Sequence, residues 1–148
     1  MRFLCMILFL LALSACNPGP KPITYGEDGC SFCQMTIVDK QHAAQLVTKK
    51  GKNYKYDAIE CMINDLNKWD KPPVETYLVA DYANPGILTN AVTASYLISE
   101  EIPSPMGAYL SAFASESERN KTHHTAGGDK LNWEQLNKSL SKNLSHNH

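Results

Sequence analysis

The sequence predicts an α+β fold in which two similar small ββαβ units pack together, and three observations carry that prediction. Short runs with strand-like alternation occur in both halves of the chain. Each half also holds a capping-box pattern, Asp57 to Glu60 and Ser115 to Glu118, in which a capping residue is followed three positions later by glutamate. Each box follows a strand-like run that carries an aromatic residue, so the same order of elements occurs twice. Neither half alone can bury much apolar surface, and the two are expected to share a core.

Taken in order, Thr36-Ile37-Val38 and residues 43–48 read as two short strands separated by the polar segment 39–42. Lys49-Lys50-Gly51-Lys52 supplies a turn, and Asn53-Tyr54-Lys55-Tyr56 alternates as the next strand. Asp57 should accept from the first-turn amides of a helix, with Glu60 reaching back to the backbone of Asp57. Ile59, Met62, Ile63, Leu66 and Trp69 fall on one face at helical spacing, which predicts a helix to about Trp69. Lys71-Pro72-Pro73 ends it, and residues 74–80 form the next strand. In the second half, residues 91–98 and 108–114 read as strands. A short helix opens at Ser115, exits at Gly127-Gly128, and is followed by a last strand over residues 130–133. The expected units are residues 28–82 and 83–137, with a disordered polar tail over 138–148.

The N-terminus has a separate logic. Met1 and Arg2 precede an apolar run over residues 3–13, which ends in Leu13-Ser14-Ala15-Cys16. The run is shorter than the roughly 20 residues a bilayer span needs and has the form of a secretory signal peptide over residues 1–15. The motif resembles the bacterial lipobox, which implies lipidation of Cys16 and a membrane anchor without a span. Asn17 follows Cys16, so the aspartate that retains lipoproteins in the inner membrane is absent. The expected location is extracytoplasmic, on the periplasmic side at the outer membrane. Residues 16–27 should form the anchor and a stiff tether, since Asn17-Pro18-Gly19-Pro20-Lys21-Pro22 offers no apolar side chain to pack, and folding should start near Tyr25. With 14 basic and 15 acidic residues, the overall charge points to neither nucleic acid nor an anionic membrane surface as a partner.

Loss of Cys5 with the signal and lipidation of Cys16 leave three thiols, Cys30, Cys33 and Cys61. An odd number in an oxidising compartment leaves at least one free. Cys30-Ser31-Phe32-Cys33-Gln34-Met35 packs three sulfurs into six residues, Cys61-Met62 adds two, and Ser104-Pro105-Met106-Gly107 presents one on a turn. Thiolate and thioether donors together favour Cu(I) over Zn(II), which rarely takes thioether. The blander readings stand beside this one. CxxC also serves as a disulfide, half a zinc site or a redox pair, although redox pairs open a helix and this one precedes a β-like run. Met62 sits on the apolar helix face and reads as core, and Cys61 beside it reads as a buried thiol before it reads as a ligand. His42, His123-His124, His146 and His148 complete the candidate donors; the adjacent pair suits a solvated helix end, and the last two a loosely binding tail.

In order along the chain, the lipobox, Cys33-Gln34-Met35-Thr36-Ile37, Ala43-Ala44-Gln45, Tyr56-Asp57-Ala58-Ile59-Glu60-Cys61-Met62, Ser104-Pro105-Met106-Gly107, Ala112-Phe113-Ala114 and Gly127-Gly128 resemble the NosL family, lipoproteins of nitrous oxide reductase maturation. The resemblance runs from about Cys30 to Trp133. It implies a non-enzymatic Cu(I) chaperone of denitrification whose partners are the nitrous oxide reductase apoprotein and a membrane ABC-type maturation complex. It also implies two ββαβ units related to the organomercurial lyase. The ligands it places on this chain are Cys33, Met35 and Met106, with Met106 coming from the second half. The family pattern has one cysteine ahead of the methionine, so Cys30 is left as a further ligand, a disulfide partner or incidental, and Cys61 as a more remote candidate. A thiol-disulfide oxidoreductase, or a copper scavenging or storage lipoprotein, remain as alternatives.

Overall fold

The computed structural model describes residues 19–145, and its seven strands and three helices form an α+β fold with two antiparallel sheets. The signal peptide and Cys16 lie outside the described residues, as do His146 and His148. In the first unit β1 (Ala44–Thr48) pairs antiparallel with β2 (Asn53–Tyr56) on one side and β3 (Val74–Ala80) on the other. All five residues of β1 are buried, as its central place demands. Helix α1 (Ile59–Leu66) lies between β2 and β3 in sequence and buries Ile59, Met62 and Ile63 in the core. In the second unit β5 (Ser95–Ile98) is central, flanked by β6 (Leu110–Phe113) and β7 (Asp129–Leu131), with α2 (Glu116–Ala126) between those two in sequence. The strand orders β2-β1-β3 and β6-β5-β7 are therefore the same arrangement made twice.

Several local expectations are corrected. Residues 36–38 form no strand; Thr36 makes only an isolated bridge to Gly29. The run 91–98 divides, because the Asn90 side chain accepts from the amide of Val92 and turns the chain. Before that turn β4 (Leu88–Asn90) joins the edge of the first sheet, so the first sheet takes a strand from beyond residue 82. Leu66 ends α1 ahead of Trp69, whose indole donates to the Pro72 carbonyl at 3.1 Å. Asp57 does not cap α1; the cap residue is Ala58, without a side-chain bond. Ser115 does cap α2, accepting from the Glu118 amide at 3.2 Å.

The exit of α2 needs its glycines. At Gly128, with φ of 98°, a Cβ would lie 2.1 Å from the Ile98 carbonyl oxygen. The last strand is short, and helix α3 (Trp133–Ser145) begins where it was expected to end. Asn132 and Gln135 cap this helix reciprocally, each side-chain oxygen accepting the other's amide at 2.9 Å, and it runs on across residues read as a disordered tail.

The tether is bound rather than free. The Gln45 amide donates to the Lys21 carbonyl at 2.9 Å, the Lys21 amide to Asn53 Oδ1 at 2.9 Å, and Lys55 Nζ to the Pro22 carbonyl at 2.7 Å. Polar side chains of β1 and β2 take the place of the missing apolar contacts, so the residues ahead of Tyr25 are already docked on the sheet.

One core joins the units, containing Leu46, Tyr56, Met62 and Val79 from the first and Tyr96, Leu110 and Ala112 from the second. Polar links cross the same boundary. The Tyr82 amide donates to the Ala112 carbonyl at 2.8 Å, and the Ala114 amide to Asp81 at 3.2 Å. No helix among the described residues is long and apolar enough to cross a membrane.

Candidate metal centre

The sulfur-rich segment 30–35 is a closed loop docked on β2. The Cys30 amide donates to the Met35 carbonyl at 2.8 Å and the Gln34 amide to the Cys30 carbonyl at 3.0 Å. Ser31 fastens the loop to the strand, its amide donating to the Lys55 carbonyl at 2.8 Å and its hydroxyl accepting from the Lys55 amide at 3.2 Å. The closure forces Gln34 to φ of 66°, a conformation costly for a residue with a Cβ.

This loop and the first turn of α1 bring Cys30, Cys33 and Cys61 together, all three sulfurs within 4.8 Å of one another and none in a disulfide. Cys30 and Cys61 are buried, Cys33 is half-buried, and Met35 is 54% exposed at the loop's end. The reading of Cys61 as a core thiol is thus half the answer: it is buried with Met62, and its sulfur also completes the cluster.

The three thiols divide one proton deficit. The Cys61 S–H donates to Cys30, and the amides of Asp57, Cys33 and Phe32 also point at that sulfur, which brings the Cys30 pKa down to about 5 despite burial. Cys61, held as the donor and buried, is pushed up, and burial likewise raises Cys33 against the Met35 amide that donates to it. Near neutrality the cluster therefore holds one thiolate and two thiols, a soft donor set with an anionic centre already formed.

Met106 comes from the second unit, on the turn closed by the Gly107 amide and the Ser104 carbonyl at 3.0 Å, and is 44% exposed. What holds this turn is Glu60, the residue preceding Cys61: its Oε1 accepts from the Ser104 hydroxyl at 2.5 Å and from the Ala108 amide at 3.4 Å. Glu60 is 4% exposed, and its Oε2 has no partner. It was expected to reach back to Asp57; instead it clamps the methionine turn of the other unit to the helix start that carries Cys61. Tyr109, just beyond this turn, is the second residue bearing a Cβ at positive φ, 57°. Both methionine loops thus carry a left-handed residue, and no sequence signal marks either, since Gln and Tyr are not turn formers.

The histidines stand elsewhere. His42 is buried between the units, with Nδ1 on Asp39 at 2.9 Å and Nε2 on the Ser111 hydroxyl at 3.2 Å, so both ring nitrogens are engaged. His123 and His124 lie in the last turn of α2, where the helix dipole favours positive charge.

Comparison with known proteins bears on the whole of this arrangement. No curated protein sequence matches the chain. Among solved structures, the crystal structure of the copper chaperone NosL from Shewanella denitrificans is similar at a TM-score of 0.68 and 17% identity, over 79% of this chain and 94% of that one, a likeness of fold. The sequence pattern of the NosL family matches residues 21–141, a span that contains both ββαβ units, the cysteine cluster and both methionine loops, and the chain belongs to the NosL family.

Proposed function

We propose that this chain is an extracytoplasmic, lipid-anchored Cu(I) chaperone that supplies the copper centres of nitrous oxide reductase. The observation that carries the reading is the group of three free cysteine sulfurs within 4.8 Å, flanked by exposed Met35 and by the Met106 turn tied to Glu60. A thiolate-bound d10 ion sits about 2.3 Å from each sulfur, which puts trigonal donors roughly 4 Å apart, so the cluster fits with little movement. Family membership and the relative described as a copper chaperone support the cargo.

Cys33 is the hinge of the proposed mechanism. Half-buried where Cys30 and Cys61 are buried, it anchors copper, and Met35 and Met106, both exposed, are the proposed thioether ligands. An acceptor's ligand adds from the solvent, one thioether leaves, and further exchange moves the ion across; copper keeps its charge, and each thiol bound as thiolate releases a proton. No catalytic step is assigned. The acceptors are the nitrous oxide reductase apoprotein and an ABC-type membrane complex, and Cys16 carries the lipid.

An anaerobic titration of the purified protein with Cu(I) against a coloured chelator tests this. One copper should bind per chain, and Cys33→Ser should lose more than about 100-fold in affinity, beyond the range that removal of an outer supporting contact costs. Met35→Ala and Met106→Ala should lose less affinity but impair transfer to apo nitrous oxide reductase. Binding indifferent to all three would remove the chaperone reading. The three neighbouring thiols would then favour a thiol-disulfide oxidoreductase, recognisable by turnover with a dithiol.

A further inference from the structure

The near-neutral charge of the chain conceals an uneven distribution. Lys49, Lys50 and Lys52 occupy the turn between β1 and β2, and Lys21 lies on the bound tether beside it. The other cations near β2 are already paired: Lys55 holds Asp28 at 2.6 Å, and Lys71 holds Asp65 at 2.7 Å. Lys52 rests over the Tyr54 ring, an arrangement that leaves its charge unneutralised. The Lys49 amide donates to the Pro73 carbonyl at 2.9 Å, which brings in the start of β3, where Glu75 is the acidic residue. Four lysines thus share this edge with Glu75 and with Asp28, whose charge is already paired to Lys55.

The tether ends at the same place. Asn53 Nδ2 donates to the Gly51 carbonyl at 3.0 Å and to the Gly19 carbonyl at 3.4 Å, fixing Gly19 against the lysine turn. Three residue steps separate Gly19 from Cys16, a reach of at most about 11 Å. A lipid on Cys16 therefore cannot let the domain tumble far from the bilayer, and the edge brought nearest to it is this one.

We propose that the edge formed by Lys21, Lys49, Lys50 and Lys52 seats on the anionic phospholipid headgroups of the membrane that holds the anchor, giving the domain one fixed orientation. The proposal rests on lipidation of Cys16. Its consequence concerns the copper cluster, which lies beyond the far end of β2: the strand runs from Asn53 beside the lysine turn to Tyr56 beside α1, about 10 Å at the usual rise. The seated domain holds its sulfurs off the headgroups, open to an acceptor in the aqueous phase.

The test uses the full chain purified from membranes, its intact mass reporting acyl chains on Cys16. The protein is placed in vesicles of phosphatidylcholine alone or with phosphatidylglycerol, and lysine acylation by a water-soluble reagent is followed residue by residue. Lys49, Lys50 and Lys52 should react several-fold more slowly in the anionic vesicles than in the neutral ones, with salt removing the difference. Lys121 and Lys138 should not change. Asn53→Ala, which frees the tether, should weaken the protection while leaving acylation of Cys16 intact. Equal rates in the two vesicles overturn the proposal, and so does protection seen only in native membranes, which would assign the edge to an acidic membrane protein. If the mass shows no acyl chains, the anchor reading has failed separately. The edge is then judged by co-sedimentation of the unanchored protein with anionic vesicles: binding lost on Lys49→Glu, Lys50→Glu and Lys52→Glu together retains it, and no binding overturns it.

Discussion

The two units share a strand order and differ in almost everything else. Helix α1 buries six of its eight residues, among them Cys61 and Glu60, whereas α2 buries only Arg119 of eleven. The first sheet has four strands around a wholly buried β1, and the second has three. Duplication of a ββαβ topology thus fixes where a helix start falls relative to a sheet, but chemistry follows burial. The first unit keeps three sulfurs and a carboxylate in a water-poor site, and the second contributes one turn, clamped from across the boundary. Met62→Ala in α1 should cost about 2–5 kcal/mol of unfolding free energy, because the side chain is fully buried and leaves a cavity, while Ser117→Ala on exposed α2 should stay within about 0.5 kcal/mol. Equal losses in urea denaturation would erase the contrast.

The clamp between the units offers a finer test. Ser104→Ala leaves Glu60 Oε1 without its short bond in a site already holding an unpartnered Oε2, and should cost about 1–3 kcal/mol while lowering Cu(I) affinity through the Met106 turn. A loss of stability with copper affinity intact would show that the turn is fixed by something other than Glu60.

Titration of the cluster separates the units by pH. Cys30 titrates near 5 when folded and, like any exposed cysteine, near ~8.5 when unfolded, so between those values the unfolded chain binds the extra proton. Stability should rise with pH across that window and be lost as pH falls through about 5; above it, the raised Cys61 reverses the slope. Thiolate absorbance under anaerobic reducing conditions should show one group ionising near pH 5, and Cys30→Ser should flatten the rise. An unchanged profile in that variant would assign the low-pH thiolate elsewhere. A modest effect is expected at the N-cap of α2: Ser115→Ala should cost about 1 kcal/mol in thermal denaturation, and Asp57→Asn at the equivalent position should remove no cap, since Ala58 occupies that place in α1.

Local pattern carried much of this architecture. The strand run at residues 43–48, the alternation at 53–56, the serine cap at Ser115 and the glycine exit of α2 are decided by neighbours within a few positions, and each stands where the sequence put it. The failures share one cause. Asp57 and Ser115 begin matching patterns, yet the buried Asp57 carboxylate accepts from the distant Val38 amide while Ser115 at the surface accepts from its own helix. Residues 91–98 read as one strand, but only Ser95–Ile98 pairs, with the second sheet, because the chain must first turn away from β4 on the first. The polar tether looked free because its partners, Gln45, Asn53 and Lys55, lie 20 or more residues away in the chain.

The sequence by itself determined most of the elements, their repetition and the stock of soft donors, because helix period, strand alternation and residue chemistry are local properties. Only the tertiary structure decided that Cys61 joins Cys30 and Cys33, that Glu60 holds the Met106 turn, and that His42 serves the unit boundary rather than a metal. Those outcomes depend on which distant groups share one low-dielectric interior. A buried thiol or carboxylate must find its partner there, whatever the sequence separation between them.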